Sequence, residues 1–225
     1  MSGGRVMSDM ILLPNGDVLL INGAALGTAG WEHGRNQVLN PFLYKPDGVI
    51  GERFKIQNPS TIPRVYHSIA ILLRDGRIFV AGSNPHVGYD FQNVVFPTEL
   101  CLEAFAPWYL EAEFDDLRPE LMFPAAHTKL MYGMNLKVTF RVKASLVRNS
   151  VSVTMLAPSF NTHSFSMNQR LLLLDQLKPA SNVVGGSYEV EVILPCSPFF
   201  APAGYYLLFV IHEQIPSQGV WVQLV

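Results

Sequence analysis

The chain contains 225 residues, of which 49% are hydrophobic and only 15% are charged, and its formal net charge is −2. This length can bury a substantial core, and the low charge together with 11% aromatic residues excludes a disordered chain. The charge balance provides no basic surface for nucleic acid, and the longest unbroken apolar run, residues 205–211, is far too short for a membrane-spanning helix.

Two predicted β-hairpins share one pattern, in which short apolar runs flank an Asn-Gly or Asp-Gly pair that favours a tight turn. The runs and turns are residues 10–13, Asn15-Gly16 and 18–22 in the first hairpin, and residues 69–73, Asp75-Gly76 and 78–81 in the second. Arg5 and Arg64 lie 59 residues apart, and Gly23 and Gly82 have the same separation. This repeat predicts two blades of a β-propeller, too few to close the ring; the alternative is two unrelated hairpins with common turn residues.

A change in composition follows the hairpins. We interpret acidic residues 111–117 as a linker between a partial propeller, residues 1–110, and a second domain, residues 118–225. Seven short strands in that domain predict an immunoglobulin-like β-sandwich, so the predicted fold class is all-β. The strands are predicted at residues 137–142, 151–156, 163–167, 170–174, 187–194, 205–211 and 220–224.

The two cysteines, Cys101 and Cys196, are far apart and have no CxxC spacing. They could form one disulfide or remain as two buried thiols. The second interpretation is favoured because a free cysteine packs as a small hydrophobic residue.

Tyr66, His67 and His163 are the candidate metal ligands. Neighbouring side chains such as Tyr66 and His67 project to opposite faces of a regular strand, so both could meet one ion only at a strand end or irregular turn. Pro63 favours such an irregularity, and His163 lies in a polar loop, residues 159–164. Imidazole suits copper, iron or zinc, and a phenolate favours an oxidised ion such as Cu(II). The other histidines are expected to be solvated or hydrogen-bonded structural residues: His33, His86, His127 and His212.

Long motifs around these residues resemble the copper-radical oxidases of the glyoxal oxidase/galactose oxidase group, particularly their plant aldehyde oxidase branch. The motifs in the first half are Asn58-Pro59-Ser60-Thr61-Ile62-Pro63-Arg64-Val65-Tyr66-His67-Ser68, Gly82-Ser83-Asn84-Pro85-His86 and Pro97-Thr98-Glu99-Leu100. Those in the second half are Pro158-Ser159-Phe160-Asn161-Thr162-His163-Ser164-Phe165-Ser166-Met167-Asn168-Gln169-Arg170, Ala201-Pro202-Ala203-Gly204-Tyr205-Tyr206 and Gly219-Val220-Trp221-Val222.

The resemblance implies a seven-bladed kelch-type propeller followed by an early-set β-sandwich. It also implies a Cu²⁺ cofactor and oxidation of an aldehyde to a carboxylic acid, with O₂ reduced to hydrogen peroxide. By the same resemblance, Tyr66 matches the axial tyrosine ligand and general base, and His67 and His163 match the two histidine ligands. An extracellular or cell-wall location is implied as well, although residues 1–5 show no signal peptide.

One part of the family's site has no match in this sequence. The resemblance implies a radical-bearing tyrosine cross-linked to a cysteine, and Cys101 lies instead in a context similar to a later blade. The chain is therefore expected to be the C-terminal half of such an oxidase. The alternative is a catalytically inactive remnant that serves as a binding or structural module.

Overall fold

The computed structural model describes residues 3–183 and 185–225, and its regular structure is almost entirely β-strand. Within these residues the helical segments are three short 3-10 turns, Trp108–Leu110, Ala112–Phe114 and Arg148–Ser150. No described helix has the length and apolar character that crossing a membrane requires. The predicted all-β fold class is confirmed.

The strands are short and follow one another closely along the chain. The first nine are β1 (Asp9–Leu12), β2 (Val18–Ile21), β3 (Ala24–Leu26), β4 (Arg35–Gln37), β5 (Phe42–Tyr44), β6 (Phe54–Ile56), β7 (Ile69–Leu72), β8 (Ile78–Ser83) and β9 (Glu99–Phe105). The next six are β10 (Glu120–Phe123), β11 (Thr128–Leu130), β12 (Asn135–Arg141), β13 (Val151–Ala157), β14 (Phe160–Thr162) and β15 (Phe165–Met167). The last six are β16 (Arg170–Leu173), β17 (Asp175–Val183), β18 (Ser187–Ile193), β19 (Gly204–His212), β20 (Ile215–Pro216) and β21 (Val220–Leu224).

The chain forms two compact units, and each is built from three separate segments of the sequence. The first unit draws on Met1–Leu72, Ile78–Phe105 and Ser159–Gln169, and the second on Leu73–Arg77, Ala106–Pro158 and Arg170–Val225. The short segment Ser159–Gln169, which carries β14 and β15, therefore packs with residues that precede it by about 90 to 160 positions, such as Ala70 and Met10.

Small antiparallel sheets make up the first unit. One has the strand order β1-β2-β5-β6, another has the order β7-β8-β9, and β3–β4 and β14–β15 are two-stranded. Sheets of this size are the components of propeller blades, and the described residues do not close a ring of them. Both predicted hairpins are present, whereas β3, β4, β5, β6 and β9 have no counterparts among the strands predicted from the sequence.

The hairpin turns follow from their Asx-Gly pairs. Gly16 and Gly76 have φ of 92° and 88°, a conformation that glycine adopts without a Cβ penalty. In the first turn the Asn15 side-chain oxygen accepts a hydrogen bond from the Asp17 backbone N–H at 3.2 Å. At Gly76 a Cβ would lie 3.2 Å from the ring of Tyr109, whose hydroxyl donates to the Gly76 carbonyl at 2.7 Å. The second glycine is therefore required by close packing as well as by the turn.

The second unit is a β-sandwich. One sheet has the order β10-β12-β18-β17, and the other has the order β11-β21-β19-β13-β16, with β20 paired to β19. Alternating apolar residues of both sheets form a single buried cluster, because successive side chains of a strand point to opposite faces. Residues at the centre of this core include Val138, Phe140, Val153, Met155, Val190, Leu208 and Val222.

Six of the seven predicted sandwich strands are present with small shifts at their ends. The prediction of a sandwich strand at residues 163–167 is wrong. Strand β15 begins only at Phe165, after a turn that contains His163, and it pairs with β14 alone in a two-stranded sheet of the first unit. Strands β10, β11, β17 and β20 of the sandwich were not predicted. Strand β17 lacks a regular alternation of apolar residues and contains Pro179, and its pairing with β18 has two register shifts.

The prediction of two buried thiols is wrong. Cys101 and Cys196 are both free and both exposed. Cys101 lies on β9, a strand on which most side chains are exposed or half-buried, so its side chain does not reach a core.

The sandwich core predicts a large difference between two leucines in the same sheet. Leu208 on β19 is fully buried, whereas Leu173 on β16 is 69% exposed. Leu208→Ala should lower the free energy of unfolding by about 2–5 kcal/mol, because it removes buried methyl groups and leaves a cavity. Leu173→Ala, the matched control, should change it by less than about 0.5 kcal/mol. Chemical denaturation of both variants measures the difference, and equal losses would contradict the assignment of this core.

Candidate functional site

A buried arginine fixes the segment that leads into the site. Arg64 is 2% exposed, and its guanidinium donates to the carbonyls of Gly82 and Cys101 at 2.8 and 3.0 Å. It also forms an ion pair with Glu103, with 2.8 Å between Nη2 and Oε2. The Arg64 carbonyl accepts a hydrogen bond from the Gly23 N–H at 2.7 Å. This residue therefore ties the start of the segment to the chain around β8, β9 and the end of β2.

The two residues after Val65 form a turn rather than the first residues of a strand. His67 has φ of 61°, in the left-handed region, and β7 begins only at Ile69. The Tyr66 carbonyl accepts a hydrogen bond from the Asn84 N–H at 2.8 Å, which holds the turn against the segment after β8. Because of the left-handed residue, the Tyr66 and His67 rings lie on the same side, with centroids 4.0 Å apart. The irregular turn that the sequence required is therefore present.

His163 occupies the tip of the hairpin formed by β14 and β15. His163 and Ser164 have φ of 52° and 66°, so two consecutive left-handed residues reverse the chain. The Ser164 side chain is fully buried, and its hydroxyl donates to the Val65 carbonyl at 2.7 Å. The hairpin tip is therefore bonded directly to the residue that precedes Tyr66.

The three candidate ligands come together in this arrangement. The His163 ring centroid lies 5.0 Å from that of His67 and 5.6 Å from that of Tyr66. Tyr66 and His67 are half-buried, and the side chain of His163 is exposed, so the cluster is open on one side. Two residues adjacent in sequence and a third almost a hundred positions later thus form one compact group.

Both histidines make their hydrogen bonds through Nδ1. His67 Nδ1 lies 2.8 Å from the Asn84 carbonyl oxygen, which can only accept, so Nδ1 carries the proton and Nε2 retains its lone pair. His163 Nδ1 is 2.6 Å from the Thr162 hydroxyl. A hydrogen bond at the ring nitrogen that does not bind the metal fixes the orientation of a metal-binding imidazole.

The donor set fits Cu(II). Two imidazoles and a phenol are ligand types that this ion accepts. The described residues contain no group of three or more His, Cys, Asp or Glu side chains arranged to hold a metal ion. The cluster has only two such residues because its third donor is a tyrosine.

Comparison with known proteins establishes the family. Residues 1–109 match the family described as "Glyoxal oxidase N-terminus", and residues 118–224 match "Galactose oxidase-like, Early set domain". The whole chain is 47% identical to aldehyde oxidase GLOX1 of Arabidopsis thaliana and covers 36% of that protein. The chain belongs to the glyoxal oxidase/galactose oxidase family. It is also 41% identical over 99% of its length to aldehyde oxidase GLOX of Vitis pseudoreticulata, of which it covers 42%.

A more distant member of the family is galactose oxidase of Gibberella zeae. It is 28% identical over 95% of this chain, which covers 28% of that protein. The chain thus spans less than half the length of each of these relatives.

Two of the other histidines of this chain, His86 and His212, have structural hydrogen-bond partners. His86 is buried, with Nδ1 2.8 Å from a Glu32 carboxylate oxygen and Nε2 2.8 Å from the Phe96 carbonyl, and the Glu32 carboxylate raises its pKa. His212 is fully buried, and its two ring nitrogens contact the Val147 N–H and the Leu117 carbonyl.

A buried carboxylate that the sequence analysis missed lies beneath the β14–β15 hairpin. Asp9, at the start of β1, is fully buried, and its Oδ1 accepts hydrogen bonds from Ser166 at 2.7 Å and Asn161 at 3.3 Å. Its Oδ2 has no hydrogen-bond partner among the described residues. Burial raises the pKa of Asp9 to about 6, against the opposing effects of Ser166, Asn22 and Asn161. The sequence offered no signal for this role, because a single aspartate before an apolar strand is common.

The raised pKa of Asp9 predicts a pH-dependent cost of folding. The Asp9 carboxyl group has a pKa of about 6 in the folded chain and 3.8 in the unfolded chain, so the folded chain binds its proton more tightly. The resulting contribution to the free energy of unfolding is complete below about pH 4 and is lost as the pH rises through 6. Asp9→Asn removes the titrating group, so the stability of the variant relative to the native chain should rise by about 1–3 kcal/mol between about pH 4 and pH 7. Urea denaturation across this range measures the change. Asp47→Asn, at an exposed position, is the control. A stability difference between Asp9→Asn and the native chain that does not vary with pH would contradict the prediction.

Proposed function

We propose that this chain supplies the copper-binding part of an aldehyde oxidase. The overall reaction converts an aldehyde, water and O₂ into a carboxylic acid and hydrogen peroxide. The single observation that supports it best is the convergence of Tyr66, His67 and His163, in a family whose plant relatives are named aldehyde oxidases.

The three side chains have distinct tasks in this proposal. His67 and His163 would hold Cu(II) through Nε2, and Tyr66 through its phenolic oxygen. The bound ion would supply Lewis acidity, which acidifies a coordinated hydroxyl group, and the capacity to accept one electron. The Asn84 carbonyl keeps the His67 ring in the tautomer that leaves Nε2 unprotonated.

Proton transfer is the task of Tyr66. The substrate is the hydrated aldehyde, whose hydroxyl group must lose a proton as the carbon is oxidised. Tyr66, as a phenolate, would accept this proton at its oxygen as general base and become a neutral phenol, because its ring lies 4.0 and 5.6 Å from the two imidazoles, centroid to centroid. The exposed side of the cluster at His163 gives a small substrate access to it.

We also propose that the second one-electron acceptor lies outside these 225 residues. Aldehyde oxidation removes two electrons, and the family resemblance assigns one of them to a tyrosine cross-linked to a cysteine. No matching pair occurs in this sequence, and the chain covers 36% of the Arabidopsis relative.

Copper binding is the first test. The tag-free chain should bind one Cu(II), and His67→Ala and His163→Ala should each weaken binding at least about tenfold, because each removes a donor. Isothermal titration calorimetry gives the affinities, and electron paramagnetic resonance reports the loss of a nitrogen ligand in each variant. His33→Ala is the matched control, since that histidine pairs with Thr28 outside the cluster. Equal affinity of the native chain and the double variant His67→Ala/His163→Ala would refute the copper site.

Activity is the second test. The copper-loaded chain of 225 residues should produce no aldehyde-dependent hydrogen peroxide, even after chemical oxidation, because it lacks the radical partner. A peroxidase-coupled assay with a series of small aldehydes measures this. Turnover that disappears in Tyr66→Phe would show that another residue holds the radical, and it would disprove the proposed division of the site.

A further inference from the structure

The β14–β15 hairpin has two chemically different faces. Its register pairs Phe160 with Met167, Asn161 with Ser166, and Thr162 with Phe165. Phe160, Phe165 and Met167 are 64%, 51% and 49% exposed. The Asn161–Ser166 pair lies between them on the opposite face, because cross-strand pairs alternate in direction along a hairpin. The hairpin therefore makes its inward contacts through a polar pair.

That polar pair is bonded to the first strand and to β7. Asn161 Nδ2 donates to the Ala70 carbonyl at 3.0 Å and lies 2.7 Å from Ser166 Oγ. The shorter contact of the Ser166 hydroxyl is with Asp9 Oδ1 at 2.7 Å, and its contact with the Ala70 carbonyl is 3.3 Å. Asp9 is thus the side-chain acceptor in this network, and the Ala70 carbonyl is the backbone acceptor.

A second set of bonds holds the far end of the hairpin. The Gln169 side chain accepts from the Leu12 N–H at 2.9 Å and donates to the Met10 carbonyl at 2.6 Å. Both partners belong to β1, the strand that begins with Asp9. Gln169 and Asp9 therefore hold the β15 side of the hairpin along one strand, with Asp9 nearer the tip.

The burial of Asp9 and the docking of the hairpin depend on each other. A buried carboxylate is costly unless donors replace the water it has lost. The donors observed at Oδ1 come from the hairpin, and Oδ2 has no hydrogen-bond partner in the part of the chain that the structure describes. Releasing the hairpin would therefore leave Asp9 without its observed donors, which favours the docked position.

We propose that Asp9 is a positioning residue for His163, because it holds the β14–β15 hairpin in the place where the His163 ring meets Tyr66 and His67. The inference rests on the proposed copper site. Asp9 is not one of the proposed ligands, and its observed hydrogen bonds to the hairpin come from Ser166 and Asn161. A positioning residue of this kind changes ligand affinity by holding a donor in place rather than by supplying one.

The test is a double-mutant cycle read by copper affinity. Asp9→Ala should weaken Cu(II) binding about tenfold. In the His163→Ala background it should have no further effect, because the ligand it positions is absent. In the His67→Ala background the full effect should remain. Electron paramagnetic resonance of Asp9→Ala should show the same loss of a nitrogen ligand as His163→Ala, a signature that general destabilisation would not produce.

Two further variants guard against a folding defect. Asp9→Asn retains an acceptor oxygen for Ser166 and Asn161, and it should recover most of the copper affinity. Ser166→Ala removes the short bond from the hairpin side, and its effect should also vanish in the His163→Ala background. Asp47→Ala, an exposed aspartate in the turn between β5 and β6, is the matched control and should bind copper as the native chain does.

The outcomes separate this inference from the proposed function. If the native chain binds no Cu(II), the copper site itself is wrong. If His163→Ala weakens binding and Asp9→Ala does not, only the positioning role is wrong. An equal effect of Asp9→Ala with and without His163 also overturns it, because the aspartate would then act on the whole fold.

Discussion

The alternation of side chains along a strand is the constraint on which the candidate site depends. In a regular strand Tyr66 and His67 would face opposite sides, and the site exists because the backbone leaves the strand conformation at His67. Left-handed backbone is unfavourable for a residue with a Cβ, so the surrounding contacts must hold His67 in this conformation. Arg64, whose side chain reaches the carbonyls of Gly82 and Cys101 and the carboxylate of Glu103, fixes the chain just before the turn, and Asn84 bonds to Tyr66 and His67 within it.

The two units differ in how they bury polar groups. The sandwich encloses an apolar cluster contributed by both of its sheets. In the first unit, Asp9 Oδ2, Asn22 Nδ2 and Ser159 Oγ are buried without hydrogen-bond partners among the described residues. Each such atom opposes folding by the cost of its lost hydration. These buried polar atoms make the first unit less stable than apolar groups at the same positions would, as is common near functional sites.

Local chemistry explains which features could be predicted from the sequence. The Asx-Gly turns at Gly16 and Gly76 and the alternating apolar strands of the sandwich are properties of neighbouring residues, and they were predicted with small errors at the ends. Strand β17 was missed because its residues follow no period of two. The candidate ligands were singled out by residue type and local context, and their separate roles came from a family resemblance. The contacts of Asp9 and Asn84 depend on long-range packing that no local pattern contains. The exposure of Cys101 likewise depends on the position of β9 in its sheet.

The separation of the ligands along the chain has a consequence for folding. Ser68 and Ser164, the neighbours of the two histidines, are 96 positions apart, yet their hydroxyl oxygens lie 3.4 Å from each other. Between them the chain forms β7–β14. Bringing together residues this far apart in the sequence costs loop-closure entropy, so we expect such contacts to form after the local hairpins. During synthesis the cluster cannot form until His163 has left the ribosome, so a ligand that needs all three rings would bind only after the β14–β15 hairpin has reached its place beside Tyr66 and His67.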